Sequence, residues 1–367
     1  KVVQNRTFKL NASLNCNGKC GNVSAYAIYV NSDWWNLSWL YRRSIIVNNT
    51  INTPTGYQVL VELDSLNTGP NFKWGLNGDD LRFIHDGSEL DYWIESWDSV
   101  GENGHIWIET DSPINAGDDY RVDMYYGNSL AMAKSDVSDV FLSDVIHLST
   151  GRCTDTSNGC NHMDNNADAD AIRNMIGTGT FTIDGSGYVG GIYHNNNPYG
   201  SDDSYFSRYR ALWVPSASGT FWFGTASDDG SDVGLWNYDG YGYGLRTPTA
   251  ISNHDIVTHW YGGHGTGTCG SSGAIEGSRA IVAGNPYWID YVMEEGSGGQ
   301  DSQFCINRGS GYDIFNDVNF AGEFYSRQYI LEEPSLLVGQ EENYVVSTSV
   351  GVSPFYSLDP QPRWCIA

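Results

Sequence analysis

The chain has 367 residues, enough for two domains or slightly more, and its 44 Asp and Glu against 19 Lys and Arg give a formal net charge of −25. A surface this acidic repels phosphate backbones and anionic lipid, so no nucleic-acid partner is expected. Aromatic residues make up 14% of the chain, which excludes a disordered protein. No run approaches the ~20 apolar residues of a membrane span, so no membrane insertion is expected.

Short segments of alternating apolar and polar residues dominate the sequence, with Gly, Asn, Asp and Ser between them. A period of two with frequent turn residues is typical of antiparallel β-sheet. The sequence therefore predicts an all-β fold, with tandem antiparallel β-sandwich domains between an N-terminal hairpin and a C-terminal strand. The predicted units are residues 1–32, 33–142, 143–340 and 341–367.

The first unit has the pattern of a β-hairpin over residues 7–30. Apolar residues alternate from Phe8 to Leu14, Asn17-Gly18 provides a tight turn, and the chain then runs back to Val30. An isolated two-stranded hairpin is only marginally stable in water. Its apolar face must therefore pack on the next domain or on a neighbouring subunit.

Five Asn-x-Ser/Thr sequons fall within the first 50 residues, and none follows. This motif is the N-glycosylation acceptor of secreted proteins, so the region is predicted to be exposed and to carry glycans. The acceptors are Asn5, Asn11, Asn22, Asn36 and Asn48.

The seven cysteines favour disulfides over zinc, because the sequence has no CxxC or CxxH pair. Disulfides in turn indicate an oxidising, extracellular compartment. The predicted bridges are Cys16–Cys20, Cys153–Cys160 and Cys269–Cys305. Cys365 is then either a free buried thiol or the site of a bond to another chain.

Residues 33–142 are predicted to form the first sandwich. Their apolar residues recur with a period of two, and turn signals separate the segments at hairpin-like intervals. The residues that share a face are Tyr57, Val59, Val61 and Leu63, then Leu90, Tyr92 and Ile94, then Ile106 and Ile108, and finally Tyr120, Val122, Met124 and Tyr126.

An ordered set of aromatic motifs marks this unit. They include Trp34-Trp35, Trp39-x-Tyr41-Arg42-Arg43, Asp80-Leu81-Arg82-Phe83, Leu90-x-Tyr92-Trp93-Ile94-Glu95 and Tyr125-Tyr126-Gly127-Asn128. The set resembles a domain of unknown function that is common in large archaeal and bacterial surface proteins. No activity comes with that family. The resemblance implies an extracellular protein with further sandwich modules.

Within residues 143–340, an aromatic strand leads into an acidic turn and Gly-rich motifs. Their order is Ser227-Asp228-Asp229-Gly230, Trp260-Tyr261-Gly262-Gly263-His264-Gly265 and Tyr291-x-Met293-Glu294-Glu295. This order resembles the protective-antigen-type sandwich found in bacterial toxins, glycosidase accessory modules and yeast flocculin (GLEYA-like) lectins. In the flocculin-like lectins the corresponding Asp pair binds Ca²⁺ through a cis peptide, and the metal coordinates sugar hydroxyls.

The resemblance thus implies that Asp228 and Asp229 bind calcium, an ion that prefers oxygen ligands. The other ligands of the family lie on variable loops, and Asn237 and Asp239 are candidates by position only. In many protective-antigen-type domains the same turn instead caps backbone amides.

Aromatic side chains near the Asp pair are candidates for stacking on the apolar face of a sugar. The alternative is that half of them belong to the core. The candidates are Trp236, Tyr238, Tyr241, Tyr243, Trp260 and His264.

A second acidic run places oxygen ligands at alternate positions of a seven-residue segment, namely Asp164, Asn166, Asp168 and Asp170. An EF-hand is excluded, because position 6 is not Gly and position 12 is Met175. A simpler calcium loop fits the run. The alternative is that Asp170 caps a short helix that follows it.

The sequence shows no catalytic motif: no Gly-x-Ser-x-Gly elbow, His-Glu-x-x-His pair or phosphate loop occurs. Four acids could pair as glycosidase carboxylates, but the sequence gives no such geometry. They are Glu95, Glu109, Glu294 and Glu295. We therefore expect a protein that is not an enzyme.

The predicted hairpin at one end and a strand at Tyr344–Val350 at the other would expose unpaired backbone, unless both pack on their own chain. A neighbouring copy could complete such edges, and head-to-tail strand addition generates fibres. The sequence thus indicates an extracellular cell-surface protein that assembles into a filament or surface layer and carries a calcium- and glycan-binding module. The alternatives are a monomeric calcium-dependent adhesin and an accessory module of a secreted glycan hydrolase.

Overall fold

The computed structural model describes residues 34–153, 163–175, 181–237, 256–271, 273–330 and 333–344. The predicted hairpin lies outside these residues. The described part contains one α-helix, α1 (Asn166–Met175), and 3-10 turns at Trp74–Leu76 and Val137–Asp139. Its strands are β1 (Tyr41–Asn48), β2 (Gln58–Asp64), β3 (Arg82–His85), β4 (Ser88–Leu90), β5 (Tyr92–Asp98), β6 (Asn103–Glu109), β7 (Asp119–Tyr126), β8 (Leu142–Ser143), β9 (Ile146–Cys153), β10 (Phe181–Val189), β11 (Tyr193–His194), β12 (Tyr205–Trp213), β13 (Gly219–Asp228), β14 (Ser231–Asn237), β15 (Ile256–Trp260), β16 (Ile275–Ile281), β17 (Tyr287–Glu295), β18 (Asp301–Asn307), β19 (Tyr312–Ile314), β20 (Phe324–Ser326) and β21 (Ser335–Asn343).

The all-β prediction is confirmed, and the first sandwich packs a five-stranded antiparallel sheet on a three-stranded one. The strand orders are β21-β1-β7-β3-β4 and β2-β6-β5. The side chains that the period of two assigned to one face lie in the core between the sheets, with Ile94 at its margin. Alternation along each strand therefore places these side chains inside.

Strand β21 changes the predicted boundary at residue 340. It pairs antiparallel with β1, from Tyr41 opposite Asn343 to Asn48 opposite Ser335. Arg42 forms an ion pair with Glu342 at 2.7 Å. Residues 335–343 thus belong to the first sandwich and are paired within their own chain. Of the predicted strand that follows, residues 345–350 lie outside the described residues.

The second sandwich is one continuous order of strands that folds over on itself, β10-β9-β12-β17-β14-β15-β16-β13-β18-β11, with β8, β19 and β20 at its margins. Its central strand, β17, is buried along its whole length. Alternate residues from Tyr287 to Met293 face the main core. On the other face Val292 packs under helix α1. Because side chains pack on both faces of β17, the end of the strand, where Glu294 and Glu295 lie, has a fixed position.

Helix α1 replaces the predicted calcium loop. The helix begins at Asn166, so Asp170 lies inside it, and both the loop and the helix start at Asp170 are wrong. Asp170 forms an ion pair with Arg173 at 3.1 Å, and Asp168 accepts the backbone N–H of Asp164 at 3.0 Å. The helix forms because its apolar side chains reach the core under β12 and β17, namely Ala169 and Ile172.

An aromatic interface joins the two sandwiches. Three tryptophan and phenylalanine side chains of this interface are almost fully buried: Trp107 from β6, Phe141 from the connecting segment and Trp288 from β17. The ring centroids of Trp107 and Trp288 are 6.0 Å apart. The buried contact places the two sandwiches in a defined relative position.

The structure forms the disulfide between Cys269 and Cys305, whose Cα atoms are 6.2 Å apart. The other two predicted bridges involve cysteines outside the described residues, Cys16, Cys20 and Cys160. Of the predicted glycan acceptors, Asn48 is exposed and Asn36 half-exposed, while Asn5, Asn11 and Asn22 lie outside. No helix in the described ranges is long and apolar enough to cross a bilayer.

Candidate functional site

A turn between two strands brings the Asp pair to the end of β17. Asp228 ends β13, and Asp229 leads into β14. The peptide bond between Asp228 and Asp229 is cis, as the resemblance implies. The N–H of Asp229 donates to the carbonyl of Glu294 at 3.0 Å, and the N–H of Glu294 donates to the carbonyl of Gly230 at 2.9 Å. This pairing holds Glu295 beside the two aspartates.

Three carboxylates converge at this turn. Ligand oxygens of Asp228, Asp229 and Glu295 all lie within 4.8 Å of one another. Like charges this close repel, and each raises the free energy of the others unless a proton or a cation compensates. Burial, with the charges of Asp229 and Asp228 adding to it, raises the pKa of Glu295 to about 8.

Glu295 is the most unusual member of the cluster. Its residue is 1% exposed, and neither of its carboxylate oxygens has a hydrogen-bond partner among the described residues. Asp301, opposite Asp228 in the β13–β18 pairing, also has one buried oxygen without such a partner. Buried carboxylate oxygens without donors are costly, and either a proton or a bound cation would offset this cost.

Backbone donors position the two aspartates. Asp229 accepts the N–H of His264 at 2.9 Å and the N–H of Gly296 at 3.0 Å. Asp228 accepts the N–H and the hydroxyl of Thr266, at 3.3 and 3.2 Å. These bonds tie the loop of residues 261–266 to the acidic turn. They also match the amide-capping role that the sequence left open.

The donor set of the cluster consists entirely of carboxylate oxygens. Oxygen ligands suit hard cations such as Ca²⁺, whereas zinc sites use sulfur and nitrogen. The carboxylate oxygens of Glu295 have no hydrogen-bond partner among the described residues, and this is the observation that makes the three residues suitable for such an ion. Asp228, Asp229 and Glu295 are thus able to hold calcium.

An aromatic pair borders the acidic cluster. The rings of Trp260 and His264 stack with centroids 3.5 Å apart and planes at 12°. Both side chains are half-buried, and Trp260 lies opposite Ser231 at the start of β14. The hydrogen bond from the N–H of His264 to Asp229 holds this pair beside the acidic turn.

Trp236 is not part of this surface. It is 3% exposed and lies opposite Trp288 within the sheet, so its predicted role in sugar contact is wrong. Val233 and Leu235 face the main core, so Trp236 lies on the other face of β14, where the guanidinium of Arg173 is 6.0 Å from its ring. The remaining aromatic candidates, Tyr238, Tyr241 and Tyr243, lie outside the described residues, as does Asp239.

The acids considered for glycosidase chemistry lie apart or have other partners. Glu95 accepts indole N–H groups between the sandwiches, and Glu294 accepts the N–H of Met163. Glu295 alone joins the Asp pair. Sequence reasoning missed this role because 66 residues separate Glu295 from Asp229. The signal was its position at the end of a strand that runs beside the Asp turn.

The chain was compared with known proteins. Residues 77–145 match the sequence model of a domain of unknown function, DUF2341. No curated protein matches the chain.

Among solved structures, a PA14 sugar-binding domain from an RTX adhesin is 11% identical, with a TM-score of 0.35, and the match covers 51% of this chain and 99% of that domain. The epithelial adhesin 9 A domain from Candida glabrata, in complex with Galb1-3GlcNAc, is 12% identical with a TM-score of 0.35, covering 50% and 90%. An anti-sigma factor domain-containing protein from Clostridium clariflavum is 10% identical with a TM-score of 0.32, covering 78% and 84%.

Proposed function

We propose that the second sandwich is a calcium-dependent glycan-binding module of an extracellular surface protein that is not an enzyme. One observation carries the proposal. Two carboxylates held by backbone donors meet a third, Glu295, whose buried oxygens have no partner among the described residues. Such a set gains most from a bound cation.

Asp228, Asp229 and Glu295 would hold the ion. When bound, calcium supplies open coordination positions for sugar hydroxyls, since it accepts six to eight oxygen ligands. The stacked rings of Trp260 and His264 would pack against the apolar C–H face of the same sugar. The metal would thus select hydroxyl groups, and the rings would orient the sugar.

An extracellular location is part of the proposal. The Cys269–Cys305 disulfide supports it, because disulfides persist in oxidising compartments. The acceptors Asn36 and Asn48 are both accessible to solvent, as glycan attachment requires. Glycans of a cell surface or matrix are the proposed partners.

Assembly into a filament or surface layer is the second candidate. The pairing of β21 with β1 concerns residues 335–343, whereas the terminal strand on which this role was based, Tyr344–Val350, lies outside the described residues apart from Tyr344. The first sandwich has an open side between its edge strands β21 and β2, and this supports assembly. Binding is therefore the primary proposal, and assembly with neighbouring copies is secondary.

Calorimetric titration of the full chain with Ca²⁺ tests the primary proposal. We expect binding in the wild type and at least about tenfold weaker binding in Asp228→Asn with Asp229→Asn. The matched control is Asp164→Asn with Asp168→Asn, which removes two charges from the start of helix α1. A glycan array with and without EDTA then tests the sugar. Equal calcium affinity in both double variants would overturn the site.

A further inference from the structure

The first sandwich is open along one side. The edge strands of its two sheets, β21 and β2, lie next to each other there, and no strand in the described ranges pairs with the outer edge of either. A groove of about 760 Å³ lies between them, lined mainly by residues 59–64 and 333–338 with His105 and Trp107. Unpaired backbone therefore borders a cavity large enough for side chains.

The groove is apolar inside. Val59 and Val61 line it from β2, and Leu336 and Val338 line it from β21. Leu336 and Val338 pack on the sandwich core but stay half-exposed, and Leu337 is 61% exposed. A free strand edge beside apolar side chains is a surface on which another strand can add.

Charge indicates which strand fits. Glu62 and Asp64 bring carboxylates to the groove, in a chain whose net charge is −25. Residues 1–32 depart from that charge, because they contain four Lys and Arg and no Asp or Glu. Opposite charge favours both the encounter and the register of two surfaces. The N-terminal segment is thus complementary to the groove.

We propose that residues 7–14 of one copy insert as a strand into this groove of a neighbouring copy, an inference that rests on the assembly proposed above. At about 3.3 Å per residue the segment spans about 26 Å and β2 about 23 Å, so the lengths match. Lys9 lies on the polar face, toward Glu62. The apolar face, Phe8, Leu10, Ala12 and Leu14, completes the sandwich core.

The first described residue, Trp34, and the groove lie at opposite ends of β21, and the donor is assigned to a neighbour because strand addition between copies is the assembly proposed above. The rings of Trp34 and Tyr344 are 5.7 Å apart, beside the end where Asn343 pairs with Tyr41. The groove is lined by the other end of β21, Ser335–Val338. A segment that docks in the groove of the next copy makes a head-to-tail contact, which does not close and generates a fibre.

Sedimentation velocity of the full chain over a range of concentrations tests the inference. Lys9→Glu or Glu62→Lys alone should raise the midpoint concentration of association at least about tenfold, and the two together should restore it. Leu337→Arg should block association, and a synthetic peptide of residues 5–15 should dissociate wild-type oligomers. Asp317→Lys, an exposed site on the second sandwich, is the charge-matched control.

Each outcome separates the inference from the assembly proposal. Association that is unchanged in all these variants overturns the groove and leaves assembly standing. A wild-type chain that stays monomeric overturns assembly. If that monomer shows coupling between Lys9 and Glu62 in its unfolding free energy, residues 7–14 fill the groove of their own chain. The proposal that the strand comes from a neighbouring copy would then be wrong. Circular dichroism verifies that each variant folds.

Discussion

Glu95 accepts the indole N–H of Trp288, and this hydrogen bond crosses from the first sandwich to the second. Its other carboxylate oxygen accepts the indole N–H of Trp107 at 2.7 Å. The guanidinium of Arg327 lies 5.4 Å from the Trp107 ring and pairs with Glu333 at 2.6 Å. A buried carboxylate thus holds the aromatic interface in one arrangement, because both indoles need its oxygens.

Stability should depend on pH through Glu95. Burial raises its pKa to about 7, although both indole hydrogen bonds and Arg327 lower it. A carboxyl group with a raised pKa in the folded state stabilises the fold fully below its ordinary pKa, near 4.5, and this stability is lost as the pH rises through about 7. The difference corresponds to about 3 kcal/mol.

Urea unfolding of wild type and Glu95→Gln between pH 4.5 and 7 measures this contribution. Gln does not titrate, so the excess stability of the wild type over the variant should shrink as the pH rises. The exposed Glu102→Gln serves as the control, and its difference from wild type should stay level. If the difference in unfolding free energy between wild type and Glu95→Gln does not depend on pH, the raised pKa of Glu95 is contradicted.

Local pattern was enough to predict the first sandwich. Alternation from Tyr57 to Leu63 and from Tyr120 to Tyr126 identified the buried faces, because each strand meets solvent on one side and core on the other. Helix α1 was harder to recognise. Its acids resembled a ligand series, but alanines between them favour a helix, and Arg173 pairs Asp170 within it.

Long-range pairing accounts for what the sequence did not reveal. Strand β21 joins β1 across nearly 300 residues, and no local signal names its partner. The same holds for Glu295, which reaches Asp229 only through the register of β17 beside β14. Trp236 followed the acidic turn closely enough to suggest a contact role, yet it is buried on the face of β14 opposite the main core, beside Arg173 of helix α1.

Glu295 is expected to lower the stability of the calcium-free protein and to strengthen calcium binding. Its buried carboxylate lacks donors among the described residues, so Glu295→Gln should raise the melting temperature of the calcium-free protein. The same change removes a negative ligand and should weaken calcium at least about tenfold. Differential scanning calorimetry with EDTA and with Ca²⁺ measures both. A variant that melts lower without calcium and binds it as well as wild type would refute this role.

Removal of the aromatic pair should separate sugar binding from metal binding. Trp260→Ala takes away the ring that stacks on His264 but none of the three carboxylates. We expect glycan binding to fall about fivefold or more, since a stacked aromatic contributes on the order of 1 kcal/mol or more. Calcium affinity should change little.

Trp222→Ala is the matched control, because Trp222 is 48% exposed on β13 of the same sandwich. It should leave glycan binding unchanged in the array. Equal losses for Trp222→Ala and Trp260→Ala would show that aromatic truncation acts through the fold. Loss of calcium in Trp260→Ala would mean that the loop, rather than the ring, was affected.

The disulfide should matter for binding as well as for stability. Cys269 follows the loop that supplies the His264 and Thr266 amides, and Cys305 lies in β18, next to β13. The bond closes a loop of 36 residues, so its loss should cost about 4 kcal/mol. Cys269→Ser with Cys305→Ser should therefore unfold more easily and bind calcium and glycan more weakly, because the donors to Asp228 and Asp229 lose their anchor.

Calcium titration before and after reduction separates this bond from the other cysteines. Reduction should weaken calcium binding in the wild type to the level of the double serine variant, and it should have no further effect on that variant. A reduced wild type that keeps full affinity would show that the loop of residues 261–266 holds its position through the Asp228 and Asp229 hydrogen bonds alone.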